Sequence, residues 1–106
     1  MKGTPTKVMI ALDSICNTLQ SISDRKGKSR ATELFFVFDT LLSFRDPILR
    51  AIGKDDYREL KAAVQSAMRM YAKYIDETKC VTWDTVIILA RKAHAFVYTL
   101  TSELRE

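Results

Sequence analysis

The sequence predicts an all-α fold: an antiparallel up-down four-helix bundle with a short extra helical turn between the second and third long helices. Three observations predict it. Four long segments carry apolar residues at steps of three and four, the spacing that lines one face of a helix. No segment shows the sustained alternation of a half-buried strand. Only 3 Gly and 2 Pro occur in 106 residues, too few for the tight turns of a strand-rich chain. Residues 1–106 read as one domain, since folding at this size hides roughly 65% of the chain's surface, enough for a core.

The first helix is expected over residues 5–23. Thr4 is a capping residue and Pro5 suits the first helical position. Val8, Ala11, Leu12, Ile15, Leu19 and Ile22 form its apolar stripe, and Ser14, Asn17, Thr18 and Ser21 its uncharged far face. The segment SDRKGKS ends it, with Gly27 free to take a left-handed conformation. Ser29 is the cap of a second helix whose core stripe is Ala31, Leu34, Phe35, Phe38, Leu41 and Leu42. Asp46-Pro47 repeats the cap-then-proline signal and Gly53 reads as a stop, so residues 47–52 form a short helical turn or a kinked continuation.

Asp55 is the expected cap of a third long helix over residues 56–76, with Tyr57, Leu60, Val64, Ala67, Met68, Tyr71, Tyr74 and Ile75 toward the core. On its far face Arg58, Lys61, Gln65, Arg69 and Lys73 fall within about 120°. Thr82 is the cap of the last helix, residues 83–104. Val86, Leu89, Ala93, Phe96, Val97, Leu100 and Leu104 make its main stripe, which Trp83, Ile87, Ala90, His94 and Tyr98 widen.

Composition narrows the function. Hydrophobic residues at 47% and charged residues at 28% exclude a disordered chain. One His and two Cys cannot by themselves complete a four-ligand zinc site, and catalysis by two imidazoles is excluded. No apolar run approaches the roughly 20 residues that span a bilayer. The N-terminus lacks the features of a secretory signal, so a cytoplasmic protein with Cys16 and Cys80 as reduced thiols is expected. The net charge of +4 lies wholly in the first 30 residues, where Arg25, Lys26, Lys28 and Arg30 cluster. Such a cluster suits a polyanion, as does the Arg58–Lys61–Arg69–Lys73 face; both also suit an ordinary solvated surface.

The remaining candidates are weighed the same way. His94 lies on the widened apolar face with Arg91 nearby, too close in sequence for the Arg–His motif of small helical nucleases; packing accounts for it. Asp55-Asp56 and Asp76-Glu77 sit at helix ends, where the first pair complements the helix dipole without any catalysis. Neither thiol has a CxxC partner, and no cofactor or metal site is expected. Phe36, Phe44, Ile10, Ile88, and Trp83 with Ile87, exceed what one face of each helix can bury in a lone bundle. They are candidates for a homo-oligomer or partner interface.

From residue 19 to about residue 102 the chain resembles the small four-helix-bundle family. That family holds the accessory variability determinant of diversity-generating retroelements and the proteins of ribosomal RNA intervening sequences. The similar parts are Gln20-Ser21-Ile22, the basic turn Arg25-Lys26-Gly27 leading to Arg30, Tyr57, Met68 and Tyr71-Ala72, and Thr82. Ser23-Asp24 stands where the family often has Pro-Arg, and Tyr98 or Thr99 where it often has Trp. The resemblance implies a ring-shaped homo-oligomer with a basic surface that binds a reverse transcriptase and its RNA.

Two functions are therefore expected in competition. One is a non-enzymatic, oligomeric accessory protein that binds RNA or single-stranded DNA through Arg25, Lys26, Lys28, Arg30 and the Arg58–Lys73 face, as partner of a reverse transcriptase. The other is a phage or mobile-element interaction module that grips a partner enzyme through Phe36, Phe44, Trp83, Ile87 and Ile88. A small hydrolase or nuclease built around His94 is a third and weaker reading.

Overall fold

A computed structural model describes residues 6–23, 33–76 and 82–105. Among them all regular structure is helical: α1 (Thr6–Ser23), α2 (Glu33–Ser43), α3 (Arg45–Ile52), α4 (Lys54–Ile75) and α5 (Trp83–Arg105). The expected signals at Thr4, Pro5, Gly27, Ser29 and Ala31 lie outside the described residues.

α1, α4 and α5 bury most of the stripe their spacing marks, and α2 buries Leu34 and Leu41 of its own together with Val37, which its expected stripe omits. Leu12, Ile15, Leu19 and Ile22 of α1 meet Leu34, Val37 and Leu41 of α2, Leu60 and Val64 of α4, and Val86, Ala90 and Val97 of α5 in one core. Each fully buried aliphatic side chain stabilises the fold by about 1.5–3 kcal/mol. α1 packs against α5 and α2, and α4 packs against α5 and α2, while α3 lies mainly on α4. Two contacts fix α1 along α5: Arg91 donates to the Ser23 carbonyl at 3.4 Å, and Arg105 donates to the Asp13 carboxylate.

The chain breaks twice between α2 and α4. Pro47 has no N–H, so the Ser43 carbonyl loses its helical donor and α2 stops there. α3 begins earlier than expected. Phe44 (φ −105°, ψ 27°) holds the capping position, and Asp46 lies inside the first turn. The second break is Gly53, at φ 95° and ψ 159°, a region only glycine enters easily. It ends α3 by donating to the Leu49 carbonyl at 2.8 Å and accepts from the Tyr57 amide at 3.0 Å to start α4. Gly53 therefore takes the place expected of Asp55, which sits with Asp56 in the first turn, where a carboxylate suits the positive end of a helix. Thr82 does precede α5, its carbonyl accepting from the Thr85 amide at 3.1 Å.

Core assignments change on α2, α4 and α5, where Tyr98, expected on the widened stripe, is exposed. The α2 stripe centres on Leu34, Val37 and Leu41, so Phe35 and Leu42, each one residue further round, are exposed. Ile75, the last residue of α4, is exposed as well. Ile87, expected both on the widened α5 stripe and as an interface candidate, is 1% exposed and belongs to the core. The reason is that α5 is flanked by both α1 and α4, which buries a wide face running from Val86 and Ile87 through Ala90 and Val97 to Thr101.

Candidate interaction surfaces

Between α1 and α2 runs an open groove of about 560 Å³. Local sequence creates it. Ala11 and Ser14 are small and leave a depression beside α2, and the α1 stripe turns Ile10 away from the core. Ile10, Phe36 and Phe44 line it and are 63%, 53% and 38% exposed. The Thr40 hydroxyl on the α2 wall donates to the Phe36 carbonyl at 2.9 Å, so it is already occupied. Lys7 on α1 and Asp39 on α2 supply one charge of each sign to the lining.

The expected interface residues are thus not one surface. Phe36 and Phe44 share the groove. Ile88 is exposed on α5, as is Tyr98, and neither lines the groove. Trp83 is half-buried between α4 and α5, its ring 5.5 Å from that of Tyr74 at 53°. Phe35, expected in the core, is exposed near the start of α2 with its ring 6.4 Å from that of Tyr71. Lys7 and Asp39 carried no signal in the sequence, because a lone charge on a helix face is indistinguishable from any solvated residue.

The basic residues divide. Arg25, Lys26, Lys28 and Arg30 lie outside the described residues. On α4 Arg58, Arg69 and Lys73 are exposed and Lys61 is half-buried. Beside this face Glu59 and Lys92 line a shallow groove between α4 and α5 with Ala62 and Ala63, so an acidic group borders the cations.

Among the described residues the titratable groups assemble no reactive centre. His94 is half-buried with its ring 6.0 Å from that of Tyr98. Among the described residues no three His, Cys, Asp or Glu side chains group as metal ligands. Cys16 is buried as a free thiol; burial, then the Asp13 carboxylate, push its pKa up, against a smaller opposing pull from Arg105. Cys80 lies outside the described residues. No described helix is long and apolar enough to cross a membrane. No protein-family model, no curated protein and no solved structure matches the chain.

Proposed function

We propose that the protein is a non-enzymatic, cytoplasmic interaction module that needs no cofactor and engages another polypeptide through the groove between α1 and α2. The observation that carries this reading is the exposure of Ile10, Phe36 and Phe44 along one depression. A small domain that leaves three large apolar side chains in one open groove loses free energy to water unless a partner covers them. The reading takes the frame as an antiparallel up-down four-helix bundle. In support, Ser23 pairs with Arg91 and Asp13 with Arg105, while Leu41 pairs with Tyr57 and Phe35 with Tyr71. In each pair of helices one index rises as the other falls.

The test is a selection of random peptides on the immobilised wild-type protein at high dilution. Peptides with an apolar face should be enriched, and Phe36→Glu should abolish their capture while the circular dichroism stays helical. A charged group facing an apolar surface is costly to cover. Enrichment that Phe36→Glu leaves unchanged would defeat the reading.

The α4 face favours a second reading, the one the family resemblance implies: an oligomeric accessory protein binding RNA or single-stranded DNA, as partner of a reverse transcriptase. Arg58 to Lys73 span about 22 Å along the helix, and Arg69 and Lys73 lie toward the end from which the segment holding Arg25, Lys26, Lys28 and Arg30 departs. Cations so placed would follow phosphates without reading bases. Binding should then weaken steeply with salt. Lys26→Glu with Lys28→Glu should flatten the slope by about 0.7 per lost contact. A wild-type protein that binds no RNA or single-stranded DNA at low salt removes this reading.

A further inference from the structure

We propose that the occupant of the α1–α2 groove is a second copy of this chain, related by a two-fold axis, with Lys7 of each copy set against Asp39 of its partner. This deepens the groove reading above and rests on it. The inference starts from the charges. The lining holds one cation on the α1 wall, Lys7, and one anion on the α2 wall, Asp39. Lys7 stands one turn before Ile10, and Asp39 one turn after Phe36. Neither has an ion-pair partner among the described residues.

A two-fold interface is self-complementary: if residue i meets residue j across it, then j meets i. Such a surface needs apolar groups near the axis, where each meets its own copy, and opposite charges away from it, where unlike groups meet. The groove has this composition. Ile10, Phe36 and Phe44 can face their own counterparts without penalty, while Lys7 and Asp39, carried by different helices, can pair twice per dimer. The same lining argues against a polyanion or an anionic lipid surface, because Asp39 would repel either and Lys7 alone would oppose it. A foreign partner would have to reproduce this plus-and-minus pattern, which a second copy supplies automatically.

The test is a charge swap read by analytical ultracentrifugation of the full chain. The wild type should be a dimer. Lys7→Glu and Asp39→Lys should each weaken it about tenfold or more, since each puts two like-charge contacts into the interface. The Lys7→Glu/Asp39→Lys double variant should recover most of the loss, with circular dichroism unchanged throughout. Recovery is a readout that poor folding cannot mimic. A dimer indifferent to both single variants overturns the two-fold register and leaves the groove reading standing. Assemblies of three or more copies overturn it too. A strict monomer that still captures apolar peptides through Phe36 overturns the second-copy occupant alone. A strict monomer that captures none overturns both.

Discussion

The Tyr57 hydroxyl donates to the main-chain carbonyl of Leu41 at 2.5 Å, a buried bond across 16 positions of sequence. The Leu41 carbonyl lies where α2 gives way to α3. Tyr57, in the first turn of α4, takes up the acceptor and ties the start of one helix to the broken end of another. Its ring is buried while its hydroxyl is used, so the residue serves both the core and the break.

Tyr57→Phe keeps the ring and deletes the donor. A buried carbonyl left without a partner costs about 1–3 kcal/mol. Urea denaturation should show that loss, with a helical spectrum retained. A change near zero would mean that the bond contributes nothing to stability.

Gly53→Ala isolates backbone strain. No heavy atom lies within 4 Å of where a Cβ would stand, so there is no clash to relieve. The φ of 95° alone should make the variant less stable, by about 1–3 kcal/mol. Thermal unfolding checks it; a variant as stable as wild type would mean that this joint adopts another conformation.

The core stripe gives a graded expectation. Leu34→Ala removes a fully buried side chain and should cost about 2–5 kcal/mol. Thr18→Ala, on the far side of α1, should stay within about 0.5 kcal/mol. Comparable effects at the two sites in chemical denaturation would show that the stripes are misassigned.

Alkaline pH should destabilise the protein. Burial is the main cause that raises Cys16 above its ordinary value of 9.0 and Tyr57 above its ordinary value of 10.0. Below those ordinary values both groups are protonated whether the chain is folded or not, and they leave stability unchanged. Above them the unfolded chain loses its protons first, so stability falls with rising pH until the folded groups ionise. Unfolding free energies should stay level up to about pH 8 and decline from there to about pH 11, and Cys16→Ala should remove part of the decline. A flat profile would count against the burial of both groups.

Much of the fold is legible in the sequence because helical periodicity is local. Leu12, Ile15 and Leu19 mark their own face, as do Leu60 and Val64, whatever the partner helix. Where the reading of single helices fails, the cause is a neighbour. α5 buries Ile87 because two helices flank it, and α2 exposes Phe35 and Leu42 because its buried face is narrow. Gly53 takes the capping place expected of Asp55 because one residue serves two helices, an economy that propensity rules for separate helices do not anticipate. Of the interaction surface, the surplus of Phe36, Phe44 and Ile10 was readable. Their convergence in one groove was not, and neither was the company of Lys7 and Asp39, because both depend on how α1 lies against α2.

The seating of α1 against α5 sets a schedule for biosynthesis. The ribosome makes α1 before α5, at about 5–20 residues per second. For the seconds in between, Val8, Leu12, Ile15 and Leu19 have no α5 to cover them, and α4 likewise waits for the same helix. A nascent chain that has not yet delivered α5 is therefore a set of amphipathic helices without a closed interior. It is the species on which a holdase chaperone would act, and chains stalled before α5 should be degraded faster than full-length ones.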